Sequence, residues 1–340
     1  MKMKNILRII IFLVLVGGTI SCKKDDGASN EVVLRDRQEV YDEDILEIEA
    51  YLKDNYLELD ANLNATVKKI DAGQTSIWDD TAYPVQFITV KNDVRTSNFT
   101  DGVSADVVDY KLYYIVLNEG GGVNPTHVDS VFTAYKGWNL SNEVFDQNNQ
   151  GIWFTYPQTT AFDPLSISGY RQVLTKIKTE ESSSLNGNGV VVHQNYGNVI
   201  VFIPSGLAYF NGVIGGASYS PLAFQIKLFY RKENDHDRDR IKSNNEDLNG
   251  DGDFYNDDSD GDKIPNFLDI DDDGDGVVTK TEIKKPIGES GILAYYPFNP
   301  IADDPSTTNI DETELKAIPS CSGDYTTPTR LRKHLDPSCQ

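Results

Sequence analysis

The first regular pattern of apolar residues predicts a helix over residues 43–55. The apolar side chains that recur there at steps of three and four are Ile45, Leu46, Ile48, Tyr51, Leu52 and Tyr56. This spacing places them on one helix face. Asp42, Glu43 and Asp44 lie in the first turn, where negative charge complements the helix dipole. We interpret this helix as a packing element.

Between about residues 83 and 231 the pattern changes to short runs of β-branched and aromatic residues, which are typical of strands. The runs cover residues 85–90, 111–117, 131–135, 198–203 and 222–228. One helical pattern, over about residues 170–178, interrupts them. Several strands and one helix predict an α+β domain with an antiparallel sheet.

The first 22 residues have the pattern of an export signal. A basic start precedes an unbroken apolar run over residues 9–16, which is too short to span a bilayer. The signal ends at Cys22 in an arrangement that resembles a bacterial lipobox, where the cysteine is acylated; an incidental cysteine is the alternative. We expect a signal peptide over residues 1–22, a flexible tether over residues 23–40 and a lipid anchor in a membrane of the cell envelope. The protein would then be an outer-membrane lipoprotein that faces either the periplasm or the cell surface.

Five motifs in the strand region occur in an order found in one known family. They are Tyr135-Lys136-Gly137, Val144-Phe145-Asp146, Ile167-Ser168-Gly169-Tyr170, Ile203-Pro204-Ser205-Gly206-Leu207-Ala208-Tyr209 and Ser220-Pro221-Leu222-Ala223-Phe224. In this order they resemble an FKBP-type peptidyl-prolyl cis-trans isomerase domain over residues 108–232. The resemblance implies an antiparallel sheet wrapped around one helix, proline-containing polypeptides as partners, and no cofactor for catalysis.

The resemblance also implies the residues of the catalytic site. The side chains that would wall an apolar basin are Tyr135, Phe145, Ile167, Tyr170 and Phe224. Tyr209 would donate its hydroxyl to a ligand carbonyl, and Asp146 would lie at the rim. Such a site needs no nucleophile, because the barrier of about 18–20 kcal/mol comes from amide resonance alone.

Three departures from the family pattern bear on activity. Tyr170 stands where the family usually has Trp, and Phe210 replaces a Gly, where it would crowd the rim. The connection over residues 179–197 is longer than usual and would gate or extend the site, or be inert. These departures favour a rival interpretation, a binding or chaperone module that retains the fold without the chemistry. A surface adhesion protein is a third.

The charge of the chain is concentrated after residue 231. The chain has 53 acidic and 31 basic residues, a net charge of -22, and 17 acidic against 5 basic residues lie within residues 235–282. A chain this acidic is not expected to bind nucleic acid. A charge run is usually a solvated face, but these carboxylates alternate at the spacing of a calcium loop.

Four ladders of alternating oxygen ligands follow one another in this segment. The expected ligands are Asp235, Asp237, Asp239, Glu246, Asp247, Asn249, Asp251, Asp258, Asp260, Asp262, Asp269, Asp271, Asp273, Asp275 and Glu282. The fourth ladder fits a twelve-residue calcium loop at every constrained position, whereas Arg240 and Lys263 occupy the glycine position of the first and third. The ladders resemble thrombospondin type 3 repeats. That resemblance implies structural calcium, little regular secondary structure and almost no apolar core over residues 233–285.

Two further regions complete the predicted organisation. Residues 41–107 are expected to form an extension of one helix and a strand or two. In the tail, residues 286–340, Cys321 and Cys339 are expected to pair in an oxidising compartment and to cap the repeats.

Overall fold

The computed structural model describes residues 34–95, 106–160, 163–164, 166–286, 294–301 and 316–339. Cys22, together with the expected signal peptide and lipid anchor, lies outside the described residues. Within the described ranges, no helix has both the length and the apolar character required to cross a membrane.

Helix α1 (Arg37–Asp54) begins before the predicted start at residue 43. Asp36 caps it, because its carboxylate accepts a hydrogen bond from the Glu39 backbone N–H at 2.9 Å. Val40 is 1% exposed and Leu52 is fully buried, so the apolar face of the helix lies in the core. The prediction of a flexible tether up to residue 40 is therefore wrong at its end, because residues 37–40 already belong to this buried helix.

A hairpin of β1 (Asn55–Leu59) and β2 (Ala65–Lys69) follows α1 directly. Six further strands form one antiparallel sheet in the spatial order β3, β4, β9, β10, β5, β6. These strands are β3 (Gln86–Val90), β4 (Tyr110–Asn118), β5 (Ser130–Asn139), β6 (Val144–Thr155), β9 (Gly197–Ile203) and β10 (Leu222–Lys232). The five strand predictions and the α+β class are confirmed. Strand β6 was not predicted, because its first half is polar and largely exposed.

Apolar layers cover both faces of the sheet. On one face, α2 (Ser168–Val173) packs against β9, where a Cβ on Gly169 would lie 2.5 Å from Ile203 Cγ2. The predicted helix over residues 170–178 thus starts slightly earlier and ends in a 3₁₀ turn, Leu174–Lys176. On the opposite face, α1 and the β1–β2 hairpin bury a second cluster of apolar side chains. The sheet is therefore the middle layer of three.

The long connection over residues 179–197 is a second hairpin, made of β7 (Ser182–Leu185) and β8 (Val191–Gln194). It packs on β10 through His193, whose ring stacks on Phe229 at 4.0 Å. Phe229 also contacts Phe132 and is excluded from the cluster under α2. The hairpin therefore lies on the sheet face opposite α2.

The Asp-rich segment contains only short helical turns, the longest of which is α3 (Thr279–Glu282). Two apolar clusters nevertheless anchor it. Phe254 and Phe267 pack with Val128, which precedes β5, and Ile241 and Ile283 pack with residues of the tail. The expectation of almost no apolar core is corrected accordingly, because buried aromatic and aliphatic side chains tie the loops to both neighbours.

Residues of the tail complete the second of these clusters. Tyr296 is 4% exposed and Ile318 is fully buried beside Ile283. Cys321 and Cys339 form a disulfide whose Cα atoms are 5.4 Å apart. The tail thus packs on the end of the Asp-rich segment.

Candidate functional site

Four aromatic rings meet between the sheet and α2. The ring of Phe224 lies 5.5 Å from Phe145 and 5.7 Å from Tyr170, and both contacts are edge to face. Tyr135 makes a third such contact with Tyr170 at 5.9 Å and lies 6.1 Å from Phe224. Edge-to-face contact is a preferred geometry of aromatic pairs. The structure thus brings together four of the five predicted wall residues as one ring cluster.

Neighbouring strands place these rings. Tyr135, Phe145 and Phe224 lie on β5, β6 and β10, which are adjacent in the sheet. Gly137 pairs with Phe224 across β5 and β10, and a Cβ there would lie 2.6 Å from the Phe224 ring and 2.8 Å from the Phe145 ring. The glycine is required at this position because both rings cover its backbone.

Tyr170 forms the floor of the cluster. Its side chain is 3% exposed, and its hydroxyl makes a hydrogen bond of 2.8 Å with Thr133 Oγ1. Burial raises the pKa of Tyr170 well above its usual value. The polar end of the ring is therefore both hydrogen-bonded and neutral.

Tyr135 and Asp146 are joined at the rim. The Tyr135 hydroxyl donates to Asp146 Oδ2 at 2.9 Å, and Asp146 itself is exposed. Burial, followed by this hydrogen bond, raises the pKa of Tyr135 to about 12. Asp146 thereby fixes the orientation of one wall of the basin.

Tyr209 is half-buried at the edge of the cluster, after the turn Ser205–Leu207. Among the described residues its hydroxyl has no hydrogen-bond partner. Burial, and then the charge of Asp146, raises the pKa of Tyr209, so the phenol remains protonated. Ile167, also half-buried, is the N-cap residue of α2 and packs against the same core. The site thus has an available donor beside an apolar wall.

Helix α1 holds the turn that precedes Tyr209. Asp44 is 1% exposed and accepts hydrogen bonds from both the backbone N–H and the hydroxyl of Ser205, each at 2.7 Å. Phe210 is 7% exposed and packs under the Arg37 guanidinium at 4.1 Å. The expectation that Phe210 crowds the rim is therefore wrong, since α1 covers its ring.

Asp44 should make stability depend on pH. Burial raises its pKa from 3.8 to about 6, so the folded state binds the proton more tightly than the unfolded state. The contribution of Asp44 to the free energy of unfolding is greatest below pH 4. It is lost as the pH rises through about 6, a change of about 3 kcal/mol. We expect Asp44→Asn to abolish this dependence. The measurement is the free energy of unfolding of variant minus wild type, in saturating calcium, between pH 4 and 7.

Asp42→Asn is the matched control, because Asp42 lies on the same helix and is exposed. Its difference from wild type should be flat across this range. A flat difference for Asp44→Asn as well would contradict the role assigned to Asp44.

The sequence interpretation missed two aromatic residues at the end of β6: Phe154 lies within the strand, and Tyr156 follows its last residue. Phe154 is 5% exposed, and its ring lies 5.5 Å from Tyr170 and 6.5 Å from Tyr135. Tyr156 is stacked on Phe154 at 6.4 Å. The signal was the alternation of Ile152 and Phe154 along β6, which Tyr156 continues just after the strand.

The Asp-rich segment repeats one backbone conformation four times. The fourth residues of the four ladders all have positive φ: Arg238 at 68°, Gly250 at 76°, Gly261 at 81° and Gly274 at 66°. The sixth residues do so as well: Arg240 at 93°, Gly252 at 82°, Lys263 at 80° and Gly276 at 92°. Arg240 and Lys263 thus adopt the left-handed conformation that usually favours glycine. The four ladders form four equivalent loops.

A shared hydrogen bond supports this equivalence. In every loop the carboxylate of the fifth residue accepts the backbone N–H of the seventh at 2.7 Å, and the donors are Ile241, Asp253, Ile264 and Val277. This bond uses one oxygen of each carboxylate and turns the side chain inward.

Four groups of carboxylates converge, with ligand atoms within 4.8 Å of one another. They are Asp235, Asp237 and Asp239; Asp258, Asp260 and Asp262; Asp271, Asp273 and Asp275; and Asp237, Glu246 and Asp272. Groups of three or more acidic residues among the described residues do not include the predicted ligands Asp247, Asp251, Asp269 and Glu282. The second ladder has Asn249 at its third position, so it offers two carboxylates where each of the other three ladders offers three.

The buried oxygens of the group Asp237, Glu246 and Asp272 indicate whether this group fits a cation. Asp272 is 1% exposed and Glu246 is 3% exposed, and none of their four carboxylate oxygens has a hydrogen-bond partner within the described ranges. Burial, and then the charge of Asp239, raises the pKa of Asp272 to about 9. Burying carboxylates without a counter-charge is costly, so this donor set fits a hard cation.

Asp272 is the ligand candidate that sequence spacing missed. It is the second residue of the fourth loop, a position that the alternating pattern leaves unconstrained. The third residue of the first loop, Asp237, meets it only because the first and fourth loops are adjacent. Lys280, whose ammonium donates to the Arg238 carbonyl at 3.4 Å, bridges the same two loops.

Three solved structures illustrate what this chain is similar to. FkpA from Escherichia coli is 26% identical, with a TM-score of 0.28, over 36% of this chain and 48% of that chain. A peptidyl-prolyl cis-trans isomerase from Pseudomonas syringae pv. tomato is 22% identical, with a TM-score of 0.28, over 36% of this chain and 76% of that chain. The N-terminal domain of FKBP42 from Arabidopsis thaliana is 17% identical, with a TM-score of 0.29, over 43% of this chain and 99% of that chain. The chain spans about half the length of FkpA.

A protein-family model described as BamM C-terminal matches residues 236–309, which include the Asp-rich segment and the start of the tail. No curated protein matches the sequence.

Proposed function

We propose that residues 108–232 form an FKBP-type peptidyl-prolyl cis-trans isomerase domain acting on Xaa-Pro bonds of exported proteins. The observation that carries the proposal is the cluster of Tyr135, Phe145, Tyr170 and Phe224 with the unpartnered Tyr209 hydroxyl at its edge. These residues come from five separate motifs that share the family order.

The chemistry requires only that the site favour a twisted amide over a planar one. The twisted amide loses conjugation, so it tolerates a dry aromatic wall better than the charge-separated planar form does. A donor aimed at a neighbouring carbonyl holds the substrate in register. Tyr209 is suited to this role because its phenol is neutral and lacks a partner among the described residues. The hydroxyl of Tyr170 is satisfied by its own hydrogen bond with Thr133.

Tyr209→Phe tests the donor. We expect kcat/KM for an Xaa-Pro peptide to fall about fivefold, because a hydrogen bond to a neutral carbonyl contributes about 1 kcal/mol. The measurement is a protease-free isomerisation assay. Tyr56→Phe, which removes a phenol from β1, is the control and should leave the rate unchanged. Rates that equal buffer for the wild type would refute the enzyme itself.

A binding module without catalysis is the second candidate. Tyr170 favours it, because a smaller ring than the usual Trp forms the floor and its hydroxyl is already occupied by Thr133. This candidate predicts that proline-containing peptides bind without any acceleration of isomerisation. The same assay, combined with a binding titration, separates the two candidates.

The Asp-rich segment, residues 233–285, is proposed to bind calcium as a structural element. Its support is the set of four equivalent loops, the convergence of carboxylates and their buried unpaired oxygens. Oxygen-only ligands in flexible loops suit calcium better than zinc or magnesium. Asp272 joins Asp237 and Glu246 in this proposal as ligands of a cation shared by the first and fourth loops.

The lipid anchor belongs to the same proposal. Acylation of Cys22 would tether the described residues to an envelope membrane, where exported polypeptides and calcium are both accessible. Its support is the order of basic, apolar and small residues before the cysteine. Absence of labelled palmitate on Cys22 in cells that export the protein would exclude the anchor.

A further inference from the structure

A cleft of about 570 Å³ lies on the sheet face opposite α2. One side is formed by Asn64 of the β1–β2 connection together with Lys136 and Lys227 of the sheet. The other side is formed by the β7–β8 hairpin, including Val191, and by Phe229. The cleft is therefore cationic on one wall and apolar on the other.

The register of the sheet places the two ammonium groups on the same face. Lys136 pairs with Gln225 across β5 and β10, and Lys227 lies two residues further along β10. Residues separated by two positions on a strand point to the same side. Burial lowers the pKa of Lys136 and of Lys227, and the charge of Lys136 lowers the pKa of Lys227 further. The two charges therefore act on one another within the cleft.

Neither lysine takes part in an ion pair among the described residues. Lys136 donates to the Ala65 carbonyl, and Lys227 donates to Asn64 Oδ1 at 2.6 Å, so both partners are neutral. Asp60 faces them at longer range, and its carboxylate is held by the backbone N–H and the amide of Asn64.

Val191 is the exposed part of the apolar wall, at 46% exposure. Phe229 is 7% exposed and is stacked under His193 at the base of the hairpin. The phenol ring of Tyr196 lies 5.5 Å from the Lys227 ammonium and continues this wall towards the cationic side. A ligand in the cleft would therefore meet an aromatic surface and two ammonium groups together.

We propose that this cleft binds an acidic segment of a partner polypeptide, with carboxylates paired to Lys136 and Lys227 and an apolar side chain against Val191 and Phe229. Charge complementarity selects this occupant, because the unpaired charges are positive and each ammonium retains protons for a carboxylate. The open, two-sided shape suits an extended chain better than a bare ion. The ring cluster proposed as the isomerase site lies on the other face of the sheet, and Tyr135 of that cluster also borders the cleft.

The test is calorimetric titration of the full chain, in saturating calcium, with a blocked peptide Ala-Glu-Phe-Glu-Ala. The peptide lacks proline, so binding does not depend on the isomerase site. We expect it to bind at least tenfold more tightly than its isostere Ala-Gln-Phe-Gln-Ala, and binding to weaken with salt. Lys136→Gln and Lys227→Gln should each weaken binding about tenfold, as expected for a lost charge-assisted hydrogen bond.

Lys232→Gln is the matched control, because Lys232 lies on the same strand but is exposed and outside the cleft. It should bind the peptide as the wild type does, whereas Val191→Asp should weaken binding by placing a carboxylate on the apolar wall. Equal affinity for the two peptides, or an equal effect of Lys227→Gln and Lys232→Gln, would overturn the proposal. Binding of inorganic phosphate as tight as that of the glutamate peptide would overturn the assignment to a polypeptide.

Discussion

Each calcium ion that binds the metal-free protein is expected to raise its melting temperature by roughly 10 °C. Calcium that binds only the folded loops stabilises by about 3 kcal/mol per site when its free concentration is 100 times the dissociation constant, and 1 kcal/mol corresponds to about 2–4 °C for a domain of this size. Without the cation, converging carboxylates with buried unpaired oxygens repel one another. Scanning calorimetry with chelator and with millimolar calcium measures the shift.

Variants of the group Asp237, Glu246 and Asp272 make this test more specific. Asp272→Asn should reduce the calcium-induced shift and remove one site from a calorimetric titration, since its two oxygens have no other partner. Asp71→Asn makes the same charge change at an exposed residue outside the segment and should leave both measurements unaltered. An identical shift in the two variants would exclude Asp272 as a ligand. An unchanged melting temperature of the wild type in calcium would exclude the metal site as a whole.

Phe145→Ala is expected to lower kcat/KM for an Xaa-Pro peptide by about 10-fold to 100-fold. Phe145 makes an edge-to-face contact with Phe224 and is proposed to wall the basin, and losing a wall of a hydrophobic pocket costs about 1–3 kcal/mol in discrimination. Its side chain is half-buried on the edge strand β6, so truncation removes less core than it would at Phe224. The isomerisation assay measures the rate, and circular dichroism confirms the fold.

Phe87→Ala is the matched control for this variant. Phe87 lies on β3 at the opposite edge of the sheet and is 55% exposed. We expect it to retain the wild-type rate. Equal losses in the two variants would indicate a general effect on folding, and a rate unchanged by Phe145→Ala would place the chemistry elsewhere in the chain.

Much of the architecture could be predicted from short-range patterns. The runs over residues 85–90, 111–117 and 198–203 are strands because β-branched and aromatic residues fit a buried sheet, and the structure confirms them. The apolar spacing in α1 predicted a helix for the same kind of local reason. Strand β6 was missed because its first half is polar and exposed, so local composition hides a strand that is held by pairing with β5.

The loop conformations include some that residue type predicts and some that it does not. The alternation of carboxylates predicted four loops, and the positive φ of Gly252 and Gly276 follows from residue type alone. The positive φ of Arg240 and Lys263 does not follow from residue type. The surrounding hydrogen bonds impose it, since the carboxylate before each of these residues accepts the N–H that follows it.

The sequence by itself determined five strands of the central sheet, the five motifs of the aromatic site and the spacing of the carboxylates. Each depends on residues that are neighbours along the chain, where period and local geometry act directly. Only the tertiary structure decided that Asp44 holds Ser205, 161 positions away, that Asp272 meets Asp237, and that Lys136 and Lys227 share a cleft. These contacts join segments far apart in sequence, and burial in the folded chain is what raises or lowers the pKa of each group involved.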